Sequence, residues 1–380
     1  MIKLHGRSSR TASGDPFVAR VRRGKAVEAP EHPGDMFFVD DNDAIPIGFQ
    51  GYLCRGEMNS TGLENCWPVP DDLAYLEDGD ILEIVPASGQ MWVMYRRNSL
   101  HNSMLLTERC NSNCVMCSQP PKKHNDSYLA SAFLTAIPLM SRETPLLGIT
   151  GGEPTLLGDL LFDVIRSCNE HLPTTGLHML SNGRLFNYSS LCGELANIGH
   201  PDFVVGIPLY SDIAHRHDFV VQADGAFDQT IRGIMNLARC DIRTEIRIVL
   251  HKDTVQRLPD FARFIVRNLP FVEHVALMGL EMMGYVKMNL DALWIDPHDY
   301  QARLREAAEI LLQHEIEVSI YNHQLCTLDR SLWPIARKSI SDWKNEYLVE
   351  CDVCAVKEAC GGFFFSSSVR RSAYISAVRN

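Results

Sequence analysis

Three cysteines fall within eight residues: Cys110, Cys114 and Cys117, a C-x3-C-x2-C run. Thiols at this density can close around one compact metal centre. Structural zinc takes four nitrogen or sulfur ligands and leaves no position open. Iron–sulfur clusters are held by thiolates, usually four. A cubane cluster with only three leaves one iron open to an outside ligand, and an open metal position is a place for reaction. A zinc knuckle or three incidental thiols are the plainer alternatives.

Farther along the chain stands Thr150-Gly151-Gly152-Glu153-Pro154. Paired glycines let backbone approach a ligand closely. A carboxylate beside them can hold an ammonium through a charge-assisted hydrogen bond. Taken alone, the motif also reads as a strand-to-helix turn. A second cysteine group, Cys326, Cys351, Cys354 and Cys360, has the spacing C-x24-C-x2-C-x5-C and runs into Gly361-Gly362-Phe363-Phe364-Phe365. Four thiolates complete a closed set, for zinc or for an auxiliary iron–sulfur cluster. Spacing favours neither. Cys54, Cys66, Cys168, Cys192 and Cys240 have no evident partner and read as small buried hydrophobes.

These groups need a scaffold that brings them together. From Ser103 the chain alternates strands and helices. Strands are expected at 103–107, 146–150, 176–180, 203–207, 245–250 and 274–278. Helical stripes lie at Leu160, Leu161, Val164, Ile165 and Cys168, at Phe227, Ile231, Ile234, Met235 and Leu237, and at Phe261, Phe264 and Ile265. Such alternation implies parallel strands with crossover helices, an α/β class. Six units suffice for an incomplete barrel. In such a sheet all strand C-termini share one end, where active sites collect. The cysteine run and the Gly-Gly-Glu motif each follow a strand, so they meet there although 33 residues separate Cys117 from Gly151. A helix over 297–314 and a short strand over 317–320 complete this part. Residues 1–97 read as a β-rich module, best seen in 81–85 and 91–95, with Thr11 to Gly34 irregular. The division expected is 1–97, 98–320 and a cysteine-bearing extension over 321–380.

Of the 380 residues, 46% are apolar and 22% charged, an ordinary globular composition. The net charge of −11 argues against nucleic acid as a partner gripped by its phosphates. The opening residues lack an apolar core of signal-peptide length, and no stretch approaches the ~18 apolar residues of a membrane span. A cytoplasmic, soluble protein is expected. Its 12 cysteines would then be reduced, which favours metal or catalytic thiols over disulfides.

With both motifs in this order, Ser103 to Ile320 resembles the radical S-adenosylmethionine (SAM) superfamily. The resemblance implies a partial (β/α)6 TIM-type barrel. It implies a [4Fe-4S] cluster on Cys110, Cys114 and Cys117, with S-adenosylmethionine chelating the fourth iron. Gly151, Gly152 and Glu153 would receive the methionyl amino group, and Met116 would lie near the adenine. Ser181 and Asn182, before Gly183, end the third strand, where the family often contacts the cofactor. Ser211 and Asp212 after the fourth strand are further candidates. So are Arg247 on the fifth, toward the carboxylate, and Glu281, between Gly279 and Gly284, after the sixth. The implied reaction is one-electron cleavage of the sulfonium to a 5′-deoxyadenosyl radical that abstracts a substrate hydrogen, served by an external flavodoxin- or ferredoxin-type donor. By position, the C-terminal cysteines would hold a second, auxiliary cluster.

Within that superfamily, four stretches resemble the maturase of the His-Xaa-Ser system: Leu106 to Cys114, Ile320 to Cys326, Ser339 to Asn345 and Cys360 to Phe364. A small ribosomally made peptide substrate and partner maturase proteins are implied. Other readings are a radical SAM enzyme acting on a small molecule or cofactor precursor, an RNA-modifying methylthiotransferase, and a zinc-stabilised binding module without activity. The RNA reading expects an N-terminal cysteine cluster, whereas residues 1–97 hold only Cys54 and Cys66.

Overall fold

The structure is a computed structural model and describes residues 3–24, 26–40, 45–55, 65–338 and 346–379. Seven strands of the N-terminal part form one mixed sheet: β1 (His5–Arg7), β2 (Phe17–Arg22), β3 (Asp35–Val39), β4 (Gly51–Arg55), β5 (Cys66–Val69), β6 (Ile81–Val85) and β7 (Gln90–Tyr95). Their order is β1-β7-β6-β2-β3-β4-β5. The expectation of an irregular Thr11–Gly34 is corrected here, because β2 lies mid-sheet between β6 and β3. Its apolar residues alternate with arginines: Ala19 and Val21 are buried, while Arg20 and Arg22 turn to carboxylates. Arg20 meets the fully buried Asp35 at 2.8 Å. Burial would raise the Asp35 carboxyl, but Arg20 and the amides of Glu31 and His32 outweigh it and hold it low. The charged composition of the segment hid a strand whose polar side chains are paired.

A second correction concerns two of the scattered cysteines. Cys54 and Cys66 lie on neighbouring strands, Cα–Cα 6.5 Å, and are joined as a disulfide. Strand pairing across a 12-residue separation supplied the partner that sequence distance concealed.

The second sheet has seven strands, all parallel: β8 (Asn102–Thr107), β9 (Leu146–Gly151), β10 (Gly176–Leu180), β11 (Phe203–Pro208), β12 (Arg243–Leu250), β13 (His274–Gly279) and β14 (Glu317–Tyr321). They lie in chain order. The expected six strands are thus joined by the short 317–320 segment as a seventh, in register with β13 from His274↔Glu317 to Met278↔Tyr321. Crossovers carry α1 (Tyr128–Ala136), α2 (Asp159–His171), α3 (Ser189–Ile198), α4 (Ala214–Val221), α5 (Ala226–Arg239), α6 (Lys252–Val255), α7 (Leu258–Asn268), α8 (Leu290–Leu293) and α9 (Gln301–Gln313).

Alternation assigns the two faces of each strand. Leu147, Ile149, Leu177, Met179, Val205, Ile207, Ile246, Ile248, Val275, Leu277, Val318 and Ile320 join one core with the apolar stripes of the helices. In α2 the buried stripe is Leu161, Phe162, Val164, Ile165 and Cys168, close to the spacing read from sequence. The opposite face carries Gly148, His178, Gly206, Glu245, Arg247, His274 and Ser319, polar or small, beside Met278. After β14 the described chain forms 3-10 turns and two isolated bridges, Ile320↔Ala336 and Glu346↔Phe363, which tie it to the sheet and to itself. Among the described residues no helix is long and apolar enough to cross a membrane.

Candidate functional site

The loop from Glu108 to Gln119 follows β8 at the C-terminal end of the parallel strands. The second motif explains its seat. Gly152 donates its amide to the Thr107 carbonyl at 2.8 Å, and Glu153 donates to that of Arg109 at 2.8 Å. A Cβ on Gly151 would run into the Thr107 carbonyl, and one on Gly152 into that of Arg109. The paired glycines therefore bring the cysteine loop itself against β9, a close approach of backbone to backbone.

Three more parts of the chain hold the loop. Asn113 and Val115 donate amides to the carbonyls of Val221 and Val220 at the end of α4, at 3.0 and 2.9 Å. Tyr285 donates to the Cys117 carbonyl at 2.9 Å, and Asn289 Nδ2 to that of Val115 at 2.8 Å. From the end of β10, Asn182 Nδ2 donates to Asn111 Oδ1 at 2.6 Å and lies 3.9 Å from Cys110 Sγ. Arg184 donates to the Asn111 carbonyl and, at 3.1 Å, to Ser112 Oγ.

The three thiols are close enough to feel each other. Burial, reinforced by charge on Cys110 or Cys117, pushes the Cys114 thiol up to about 12. Burial likewise raises Cys110 and Cys117. Thiols held protonated this way are poor nucleophiles at neutral pH, whereas a bound cation inverts the balance and draws out the thiolates. The donor set suits a metal centre better than a catalytic thiol. As they stand, the Cys117 thiol donates to the Gln119 carbonyl at 3.0 Å. Among the described residues no three His, Cys, Asp or Glu side chains converge at metal-ligating distance. Met116 is buried with Tyr210, Met282 and Val286 beside Cys114.

Glu153 is fully buried. Its Oε1 accepts from Thr155 Oγ1 at 2.6 Å, Thr155 N at 3.2 Å and Ser181 Oγ at 2.8 Å; its Oε2 accepts from Asn182 N at 2.6 Å. Burial raises its pKa against these hydrogen bonds. So Glu153, Ser181 and Asn182 form one hydrogen-bonded unit with the cysteine loop. Ser211 and Asp212 are engaged nearby: Ser211 Oγ accepts the Ile213 amide at 3.1 Å, and Asp212 takes Arg257 in a fork at 3.0 and 2.7 Å. The Glu281 side chain makes no hydrogen bond or ion pair among the described residues, although it follows β13 and precedes Gly284, whose backbone packs on Cys117.

Arg247 lies on the face of β12 opposite Ile246 and Ile248. It donates to Glu245 Oε1 at 2.5 Å and touches Met278 Sδ at 3.1 Å. Glu245 Oε2 accepts from His274 Nδ1 at 2.8 Å, and His274 Nε2 shares a hydrogen bond with Ser319 at 2.9 Å. Burial would raise the Glu245 carboxyl, but His178, His274 and Arg247 outweigh it and hold it far below the usual range. Next to this row, at the N-terminal ends of the strands, a cavity of about 630 Å³ is lined by His178, Asp202, Arg243, Glu245, His274 and Glu317 among others. It lies at the end of the sheet away from the cysteine loop. Sequence reading singled out Arg247 but missed Glu245, His274 and Ser319 around it, which carry no motif. It also missed Arg184, whose only signal was its place two residues after Asn182.

The C-terminal cysteines form a second neighbourhood. Burial raises Cys326, and charge on Cys360 or Cys351 raises it further. Amides of Leu325 and Gly362 point at Cys360 Sγ, both at 3.5 Å, and that of Val378 at Cys354 Sγ at 3.4 Å. Amides aimed at sulfur are the surroundings that thiolate ligands take. Cys351 sits three residues before Cys354, whose amide donates to its carbonyl at 3.1 Å. Of the stretches that carried the finer resemblance, 339–345 lies outside the described residues.

No curated protein matches the chain. Among solved structures, SuiB of Streptococcus suis bound to S-adenosylmethionine aligns at 16% identity with a TM-score of 0.46, covering 57% of this chain and 49% of that one. SuiB has also been crystallised with its precursor peptide SuiA. AnSMEcpe with bound AdoMet aligns at 17% identity with a TM-score of 0.46, over 57% and 62%. A radical SAM methyltransferase from Sphaerobacter thermophilus aligns at 12% and 0.43, over 63% and 72%. The chain thus spans about half the length of SuiB. Residues 104–265 match the radical SAM superfamily. That span runs from β8 through the cysteine loop, the Gly-Gly-Glu turn and into α7, so the chain carries a radical SAM superfamily domain.

Proposed function

We propose that this chain cleaves S-adenosylmethionine reductively and uses the resulting radical to modify a small ribosomally synthesised peptide, as a His-Xaa-Ser type maturase. The observation that carries the first half is the cysteine loop seated against Gly151 and Gly152 inside the stretch that matches the superfamily. The peptide substrate and partner maturase proteins rest on the resemblance around Leu106–Cys114 and Cys360–Phe364. We read the second sheet as a partial TIM-type barrel, residues 1–97 as the substrate-presenting module and 321–380 as the extension.

Cys110, Cys114 and Cys117 would hold a [4Fe-4S] cluster, and Cys326, Cys351, Cys354 and Cys360 an auxiliary one. Bound and reduced, the first cluster supplies one electron to the sulfonium. The chain's own part is to hold the loop and close it from water. Gly152, Glu153, Ser181 and Asn182 fix the loop's height on β9 and β10, and the loop's Met116 packs on Tyr210, Met282 and Val286. Oε2 of Glu153 accepts a single hydrogen bond among the described residues and has a lone pair left for an ammonium. Ser211, Arg247 and Glu281 remain candidate contacts to the nucleotide. The enzyme is read as cytoplasmic, with a flavodoxin- or ferredoxin-type donor.

Anaerobically purified protein is expected to be brown and to hold about eight irons for two four-iron clusters. Replacing Cys110, Cys114 and Cys117 with Ala should abolish 5′-deoxyadenosine formation; intact cleavage in that variant refutes the assignment. Cys354→Ala should lower iron and spare uncoupled cleavage. Co-expression with the small open reading frames beside the gene, followed by mass spectrometry, tests the substrate class. A peptide mass change that needs Cys114 supports it, and none with every neighbouring peptide refutes it.

A further inference from the structure

Arg184 lies in the turn after β10, half-buried, and its guanidinium reaches across to the cysteine loop. Two of its donors go to that loop, to the Asn111 carbonyl and to Ser112 Oγ at 3.1 Å. Its Nε donates to Gln229 Oε1 on α5 at 2.8 Å. Its own amide donates to Asn182 Oδ1 at 3.0 Å, and Asn182 in turn holds Asn111. Every one of these partners is neutral. Among the described residues no carboxylate pairs with Arg184, although half-buried arginines here do find them, as Arg20 and Arg22 do. Its charge acts on Cys114, the middle cysteine of the run, favouring the thiolate there. His217, on α4, lies on the same side and is buried.

A half-buried cation without a counter-ion is costly unless an anion is to come. Glu108 at the start of the loop is already paired with Lys122 at 2.7 Å, which leaves the three thiols as the loop's unpaired anion-forming groups. We propose that Arg184 is the positioning residue and counter-charge of the three-cysteine centre. Its planar fork fixes Asn111 and Ser112, and with them the spacing of Cys110 and Cys114. Its charge offsets that of the thiolates once they ligate. A fixed positive charge also stabilises the reduced state of a cluster, which carries one more negative charge, and so raises its midpoint potential. The inference rests on the cluster reading above for its electronic half only; the latch itself is a property of the metal-free chain.

The test compares wild type with Arg184→Lys, Arg184→Gln and Gln229→Leu, in two measurements. In the metal-free full chain, hydrogen exchange is followed in the peptide spanning 108–118. Losing this charge-assisted bond should speed its exchange about tenfold or more in Arg184→Gln. Arg184→Lys should speed it nearly as much, since an ammonium lacks the fork. Gln229→Leu, which frees one edge of the guanidinium and keeps the charge, should speed it less. In the anaerobically reconstituted chain the first cluster's potential is titrated with dithionite under electron paramagnetic resonance. Arg184→Gln should shift it negative, and Arg184→Lys should stay near wild type. Exchange at the wild-type rate in both Arg184 variants overturns the latch. An unshifted potential in Arg184→Gln overturns the counter-charge. Failure of the wild type to take up iron overturns the cluster reading instead, and leaves the exchange result to decide the latch.

Discussion

Asn182 donates its backbone amide to Glu153 Oε2 at 2.6 Å, across 29 residues of sequence. This bond joins the ends of β9 and β10 directly beneath the cysteine loop. Together with the bonds from Ser181 and Thr155 it makes the Glu153 carboxylate the tie-point of the strand ends. Glu153→Ala would leave those donors buried without an acceptor and should cost about 3 kcal/mol, measurable by urea unfolding of the metal-free chain. Glu153→Gln keeps one carbonyl acceptor and should cost less. Equal stability of both variants with wild type would show that the tie-point is dispensable.

Gly152→Ala tests the close approach. The added methyl meets the Arg109 carbonyl, which is backbone and cannot rotate away. A loss of about 1–3 kcal/mol is expected, with a marked fall in iron bound after reconstitution. A control at Gly193, where nothing lies near an added Cβ, should be neutral or slightly stabilising because alanine suits the interior of α3.

Acid should destabilise the metal-free chain through three buried histidines. Burial lowers His217, His251 and His323 to about 4. For His323 the tautomer is fixed: Nδ1 donates to the Tyr321 carbonyl at 2.9 Å, so Nε2 accepts from the Tyr300 hydroxyl at 2.7 Å. The unfolded chain, with ordinary imidazoles near 6.5, binds protons first as the pH falls. Stability should therefore be full above about pH 6.5, decline toward pH 4 and level off below, by up to about 3 kcal/mol per ring. His323→Gln should flatten that slope in equilibrium unfolding measured from pH 7 to pH 4; an unchanged slope would exclude His323 as a contributor.

Glu245 anchors Arg247 and His274 on the face of the sheet opposite the main core. Glu245→Ala strands a buried cation and should cost about 3–5 kcal/mol. Its own contribution has the opposite origin to that of Glu153. With a lowered pKa it is present above the ordinary glutamate value near 4.3 and is lost as the pH falls below that. Double substitution of Glu245 and Arg247 should be milder than the single, and a thermal melt of the three variants decides it.

Much of the central sheet was legible because its strands and helices announce themselves locally. The apolar runs at 146–150 and 203–207, and the α2 stripe ending at Cys168, need only the alternation of period two and the helical period to be read. The cysteine run and Gly-Gly-Glu were legible as chemistry because residue type and spacing carry it. Strand β2 was not legible: its arginines look like a loop until the fold brings Glu31, Asp35 and the distant Asp78 to pair with them. Nor was the pairing of Cys54 with Cys66, which depends on strands lying side by side.

What the sequence determined by itself is therefore the donor set and the α/β order of the elements, since both are written in short-range pattern. Tertiary structure alone decided what the motifs do for one another. Gly151 and Gly152 serve the cysteine loop, Glu153 serves the end of β10, and Arg184 faces Cys114, because parallel strands gather residues at one end of a sheet regardless of their separation along the chain. Hydrogen bonds and charges act over a few ångströms of space, and only the folded chain sets those distances.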